Sequence, residues 1–362
     1  MSDSPGRPAG SIVESPALVS PATERSRGYP AVVGRPSRGL VTIVAATALL
    51  FLVSGLAEPD SLSRSSVQGM LPFAAVLAII ALGQTLVIQQ GGIDLSVPGV
   101  VSLTVVVITH QPNGDNGKLL PAVLLAVAIA AAAGLLNGLL VSRLGMSAIV
   151  TSLGTNAVLY ACVLGISGGS PRNTTSLMHD IATGELLGIS HSVYFAVALT
   201  ALAGFGVKRT VAGRRFEAVG DNPTAAAMAA LRVKRHQLSA YVWAALLYCA
   251  GGILLGGILT APSAFQGDSQ LLPSVAAVVL GGTSLLGGRG SAAASAVAAL
   301  FLSQLDQLVL TLGVSPAIQN LAQALALAAG VAVYTVNWAA LRRWVLARRP
   351  RPAAAVHPSS VP

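Results

Sequence analysis

Lys208-Arg209-Thr210-Val211-Ala212-Gly213-Arg214-Arg215-Phe216-Glu217-Ala218-Val219-Gly220-Asp221-Asn222-Pro223 opens a polar segment that runs to Gln237 and carries seven Lys and Arg. Long apolar stretches flank it on both sides, so it reads as a loop between membrane spans rather than as part of a soluble surface. Of the 362 residues, 53% are hydrophobic and 10% charged. One soluble core cannot hide that much apolar side chain, and lipid must solvate much of the surface. The net charge of +9 lies in the gaps between apolar stretches, and only 4% of residues are aromatic. A basic surface interleaved with stacking rings is therefore missing, and no nucleic-acid partner is expected. Cys162 and Cys249 each fall inside an apolar stretch away from other Cys or His, which excludes zinc spacing and a disulfide framework. Both read as packing residues, and no metal site is expected.

Working outward from the central loop, apolar segments occupy roughly residues 40 to 57, 67 to 89, 97 to 109, 119 to 142, 146 to 167, 189 to 207, 238 to 260, 271 to 287, 290 to 312 and 317 to 341. Most approach the ~20 residues that span hydrocarbon as a helix. The segment 97 to 109 is short and follows Gly91-Gly92-Ile93-Asp94-Leu95-Ser96, the sign of a tilted or broken helix shielded by protein. Residues 1–38 and 342–362, rich in Pro, Ser, Gly, Ala and Arg, read as disordered tails flanking a transmembrane domain at 39–341. No cleavable leader is expected, because the first apolar run reads as an anchor that stays. With the N-terminus in the cytoplasm, the inside segments hold nineteen of the 22 cations and the outside segments only Arg64, Lys118 and Arg172. That asymmetry is the positive-inside bias. The expected fold is all-α: a polytopic transmembrane bundle of about ten spans with both termini cytoplasmic.

Acidic residues close to membrane depth reduce to Asp94 and Asp306, each a helix-end cap, a residue at a polar helix interface, or a functional acid. The five histidines fall in expected loops or tails, which gives a buried proton relay little support. Gln84, Asn137, Asn156, Gln304, Gln319, Asn320 and Gln323 lie within spans and need partners, either as glue between helices or as functional hydrogen-bonding groups. With Asp94, Ser96, Thr151 and Asp306, the residues Gln84, Asn137, Asn156, Gln304 and Gln323 are the pathway candidates. Asp221-Asn222-Pro223 before Thr224 to Leu231 reads as a short helix: Asp or Asn caps free amides, Pro suits the first turn, and alanine favours the helix. Such a helix, flanked by Arg232, Lys234 and Arg235, suits a groove on a partner protein or the surface of anionic lipid equally.

Gln89-Gln90-Gly91-Gly92-Ile93-Asp94-Leu95-Ser96-Val97 resembles the GGIDLSVG signature of permease subunits from binding-protein-dependent ABC importers of the ribose, xylose and galactose type. Asn137-Gly138-Leu139-Leu140-Val141 leading into Ile149 to Thr155, the stretch from Glu217 to Leu231, and Val278 to Gly290 follow in that family's order, over roughly residues 67 to 335. The chain departs from the pattern at Ser147-Ala148, where the family commonly has Pro-Phe. It departs again at Ser269-Gln270-Leu271-Leu272-Pro273, in place of Gly-Tyr-Glu-Leu.

The resemblance implies a sugar-type permease that forms the translocation pathway. It further implies cytoplasmic ATP-binding subunits, an extracytoplasmic solute-binding protein and a second permease copy, identical or not, in a bacterial inner (cytoplasmic) membrane. Coupling to the ATPase would involve Glu217, Gly220, Asp221, Asn222, Ala225, Ala226, Leu231 and Arg232 within the loop 208–237. Gly91, Gly92, Gly281, Gly282, Gly287 and Gly288 suit tight turns and crowded crossings. The three lysines, Lys118, Lys208 and Lys234, complete no phosphate-binding loop, so ATP and any other cofactor would belong to partner subunits and no catalysis is expected here. A branched-chain amino-acid permease is the rival within transport. An ion-coupled carrier and a membrane-embedded enzyme or scaffold are rivals from other classes.

Overall fold

The computed structural model describes residues 38–170 and 172–315, together with 317, 318, 321, 324, 325 and 328. Its elements run α1 (Arg38–Ala57), α2 (Arg64–Gln89), α3 (Val97–His110), α4 (Leu119–Ser142), α5 (Ala148–Ser167), α6 (Ser176–Thr183), α7 (His191–Arg209), α8 (Val211–Asp221), α9 (Pro223–Met228), α10 (Val233–Ile258), α11 (Leu271–Leu280) and α12 (Ala292–Thr311). A two-residue antiparallel ladder pairs Glu185–Leu186 with Ile189–Ser190. Among the described residues seven helices, α1, α2, α4, α5, α7, α10 and α12, are long and apolar enough to cross a membrane. The tenth expected segment, 317 to 341, and both tails fall almost wholly outside the described residues.

Two expected spans are short. Helix α3 has 14 residues and α11 has 10, about 21 Å and 15 Å at ~1.5 Å per residue. The segment expected over 271 to 287 stops being helical at Leu280, and 281–290 is a glycine-rich turn. Neither helix alone crosses ~30 Å of hydrocarbon, so the chain on one side of each enters the bundle as irregular backbone.

Helix starts follow local chemistry. Ser63 accepts from the Ser66 amide at 3.2 Å, Thr175 from Met178 at 3.2 Å, and Ser291 from Ala294 at 3.3 Å. Each satisfies a first-turn donor that has no partner within its own helix. Helix α5 ends at Gly168, whose φ of +57° closes the last turn.

Packing centres on α2, α3 and α10. In lipid, helices attract through close contact rather than through release of water, and small residues permit that contact. A Cβ on Gly83 would stand 2.5 Å from the Tyr248 ring, and one on Gly134 would stand 2.6 Å from the Tyr241 carbonyl oxygen. Gly252 likewise faces Thr104 on α3. The most apolar window of α2 is 83% buried and that of α7 only 11%, which assigns α2 to the interior and α7 to the periphery. Cys249 is buried as expected, whereas Cys162 is exposed on α5 and packs against little.

The loops gather at two ends. At one end Gly39 approaches the Gly281 carbonyl, Gly138 approaches Leu238, and the Gln90 side chain reaches Phe216. At the other, Arg172 bonds Asn113, Asn116 bonds Ser176, and the Thr174 amide donates to the Thr260 carbonyl. The first end gathers Arg143, Lys208, Arg209, Arg214, Arg215, Arg232, Lys234, Arg235 and Arg289, and is here called the basic end. The opposite end has Arg64, Lys118 and Arg172.

Gly134 tests the packing. Alanine there meets backbone atoms of α10 that cannot move aside alone, so Gly134→Ala should destabilise the purified protein by about 1–3 kcal/mol. Gly204→Ala on α7, where nothing lies within 4 Å, should be neutral. Thermal denaturation in detergent distinguishes the pair.

Candidate functional site

Helix α2 ends at the basic end in a junction of three glycine-bearing stretches. The Gly288 amide donates to the Gln89 carbonyl at 2.8 Å, and the Gln90 side-chain amide donates to the Phe216 carbonyl at 2.9 Å. Gly91 turns the chain with φ +79°, and Gly287 and Gly288 adopt φ +96° and +77°. A Cβ on Gly220 would stand 2.0 Å from the Gln89 carbonyl oxygen, and one on Gly288 would stand 2.8 Å from the Asp221 Cα. The backbone of 217–221 is therefore wedged between the end of α2 and the turn after α11. Gly91, Gly220, Gly287 and Gly288 meet here. Gly92 instead makes room for the Tyr241 hydroxyl, while Gly281 and Gly282 pack against α12 and α1.

Beyond the junction the segment rises from the bundle. The stretch from Glu217 to Asp221, expected as loop, is the end of α8, which buries Gly213, Phe216, Val219 and Gly220 along one face. Thr210 caps that helix by accepting from Gly213 at 3.0 Å, and half-buried Glu217 pairs with Lys208. Asn222 caps α9 by accepting from the Ala225 amide at 2.9 Å. Helix α9 is shorter than the expected run to Leu231. It stops at Met228, and Ala230 takes φ +58°. Ala226 is buried and Leu231 half-buried; Asp221, Asn222, Ala225 and Arg232 are exposed, and Met228 is 79% exposed.

Deeper in the bundle, four pathway candidates share one buried polar network, and half-buried Asn156 lies beside it. Asp94 Oδ1 accepts from the Ser96 amide at 2.9 Å and from its hydroxyl at 2.6 Å, which organises the turn into α3. Asn137 on α4 donates to Ser96 Oγ at 3.0 Å and accepts from Thr155 on α5 at 2.5 Å. The Leu95 amide donates to Ser152 Oγ at 2.9 Å, and the Gly99 amide donates to Asn156 Oδ1 at 2.7 Å. Gln84 on α2 reaches the Asp94 carbonyl at 3.4 Å and accepts from Tyr248 at 2.7 Å. Asp94 thus accepts both bonds from Ser96 within the turn that precedes α3.

The remaining candidates lie elsewhere. Thr151 is buried in the first turn of α5, and its hydroxyl has no hydrogen-bond partner among the described residues; neither do the amide atoms of buried Gln304 on α12. Asp306 is half-buried on α12, and Gln323 lies outside the described residues, as do Gln319 and Asn320. Sequence reasoning missed Ser152 and Tyr248. The one signal for the tyrosine was its rarity: a chain with six tyrosines puts Tyr241 and Tyr248 seven residues, about two turns, apart on one face of α10.

Residues 66–334 match the family described as "Branched-chain amino acid transport system / permease component". The chain belongs to this permease family. It is 34% identical over 276 residues to the autoinducer 2 import system permease protein of Enterobacter sp. (strain 638), covering 75% of this chain and 78% of that one. It is 31% identical over 297 residues to the ribose import permease protein of Escherichia coli (strain K12), covering 81% and 92%. With the fructose import permease protein of Bifidobacterium longum (strain NCC 2705) it shares 32% over 253 residues, covering 68% and 70%. No solved structure matches the chain.

In this permease the network makes a testable demand. Leucine at Asn137 fills similar space but strands Ser96 and Thr155, so Asn137→Leu should cost about 1–3 kcal/mol of stability. The melting midpoint should fall by several degrees in detergent, with Ser142→Ala, whose hydroxyl has no partner among the described residues, as the unaffected comparison.

Proposed function

We propose that the chain is the membrane subunit of an ATP-driven importer for a sugar-like solute and that, with a second permease copy, it forms the translocation pathway. The basic end faces the cytoplasm, both termini lie on that side, and the chain makes about ten spans. The grouping of cations at one end supports this orientation, because translocation retains Lys and Arg on the cytoplasmic side. ATP is bound and hydrolysed by separate cytoplasmic subunits, and an extracytoplasmic binding protein delivers the solute to the opposite end. The bacterial inner (cytoplasmic) membrane is the setting.

One observation carries the reading. Helix α9 and the end of α8 stand exposed at the basic end, while Gly220 beneath them is wedged against Gln89 and Gly287. A subunit that grips the exposed residues Asp221, Asn222, Ala225 and Arg232 pulls on the end of α2 and on the turn after α11 at once. Glu217, tied to Lys208, fixes the base of the lever, with Ala226 and Leu231 seating α9. A partner that prefers one arrangement of this junction biases the whole bundle by its difference in affinity for the two states.

Sugar is the preferred solute class because the relatives reported above carry sugars or autoinducer 2 in their names. The family's own description favours a second reading, a branched-chain amino-acid permease. Competition of labelled ribose and fructose uptake by leucine separates the two. An ion-coupled carrier gains little from Asp94, whose carboxylate is engaged by Ser96.

Coupling is the decisive test. In proteoliposomes holding the permease, its ATP-binding subunits and its binding protein, Gly220→Ala and Glu217→Lys should lower solute-stimulated ATP hydrolysis about tenfold, a change of ~1.4 kcal/mol. Membrane insertion should be retained. Unchanged stimulation in both variants would remove α8 and α9 from the docking surface.

A further inference from the structure

Between α10 and α11 the chain does not stay at the membrane surface. Thr260 accepts a hydrogen bond from Thr174 at the end opposite the basic one. A few residues later the Gly267 amide donates to Ser102 Oγ at 2.9 Å, and a Cβ on Gly267 would stand 2.2 Å from the Pro98 carbonyl. Pro98 and Ser102 belong to the first two turns of α3, whose start is itself sunk inside the bundle. Residues 259–270 therefore descend from one end into the interior, where Gln266–Gln270 forms a short 3-10 turn and α11 completes the crossing.

Helix α5 gives the depth. It has 20 residues and starts at the basic end, and Tyr160 is its thirteenth, about 18 Å from that start and ~10 Å from the other end. Tyr160 donates a hydrogen bond to Asp268 Oδ1. Its ring meets Phe265 edge to face, with centroids 5.1 Å apart and planes at 75°. Asp268 and Ser269 are exposed, and Tyr160, Gln266 and Gln270 are half-buried. An exposed carboxylate beside irregular backbone at this depth does not face lipid, because hydrocarbon offers it no partner. The surface that meets it is water or a second polar surface.

We infer that Tyr160, Asp268, Ser269 and Gln270 line the translocation pathway and form the recognition patch for a small polyhydroxylated solute, which rests on the permease reading above. The chemistry fits that class. A carboxylate accepts at two oxygens, and Tyr160 is its one side-chain donor among the described residues, so Oδ2 accepts from a solute hydroxyl. Gln270, whose amide nitrogen donates to Ser269 at 3.2 Å, presents its oxygen as a second acceptor. The Tyr160 ring, braced by Phe265, offers an aromatic surface to the C–H face of a sugar. Interrupted helices carrying polar groups near mid-membrane are where transporters hold their cargo.

The test uses the whole transporter in sealed liposomes, with Cys162 and Cys249 replaced by serine. Ser269→Cys should react with a charged, membrane-impermeant methanethiosulfonate at least tenfold faster than Leu202→Cys, a residue 67% exposed on peripheral α7. Asp268→Asn should change the ratio of labelled ribose to fructose uptake by about tenfold. Labelling of Ser269→Cys as slow as the α7 control, or an unchanged ratio, overturns the patch while normal uptake by the native complex leaves the permease reading intact. If the native complex imports neither sugar, the sugar reading falls and the solute assignment falls with it.

Discussion

Backbone within hydrocarbon must find its hydrogen-bond partners inside the protein, and this bundle contains two places where that demand is acute. Residues 91–96 turn back into the bundle from the basic end, and residues 259–270 descend from the opposite end. Side chains of neighbouring helices hold them: Ser152 on α5 takes the Leu95 amide, Asn156 on α5 takes the Gly99 amide at the start of α3, and Ser102 on α3 takes the Gly267 amide. The polar residues of the spans are best understood as the answer to those two interruptions. Remove the interruptions and Asn137, Asn156 and Ser102 become costly polar groups in an apolar surround.

Much of this was legible in the chain. Seven of the ten expected apolar segments are described helices long and apolar enough to cross a membrane, because hydrophobic length reads directly what lipid tolerates; α3 and α11 fall short. The cap at Asn222 was readable because Asn before Pro and a run of alanines has few other uses. The basic end was readable from where Lys and Arg fall. What escaped was where a span breaks. Leu280-Gly281-Gly282 continues the hydropathy of α11 smoothly, and only the positive φ at Gly282, Gly287 and Gly288 reveals that the helix has ended.

The end of α8 also escaped, although its pattern was present. Gly213, Phe216, Val219 and Gly220 recur at helical spacing, but two glycines and several charges lower the intrinsic helix preference enough to suggest a loop. Burial of that face against α2 and α7 decides the matter. The candidate polar residues were found by type rather than by partner. Glutamine and asparagine within an apolar run advertise a need for hydrogen bonds, but Tyr248 as the donor to Gln84, or Tyr160 as the donor to Asp268, comes from elements brought together only by the fold.

The two interruptions share a helix, and that arrangement links the proposed docking end to the proposed solute patch. The end of α2 touches Gly220 and Gly288, the 91–96 turn leads from it directly into α3, and the second turn of α3 holds Gly267 one residue before Asp268. Helix α3 is only 14 residues long and is buried over nearly all of them, with Gly99 and Ser102 bonded to α5 and to the 259–270 stretch. On the proposed reading, a shift at the α8 base passes through the end of α2 to α3, and through Ser102 to the turn that carries Asp268. Interiors packed as tightly as this one pass on displacement rather than absorb it. On the proposed reading, nucleotide-driven motion at α9 therefore reaches the solute patch through the end of α2 and one short element, α3.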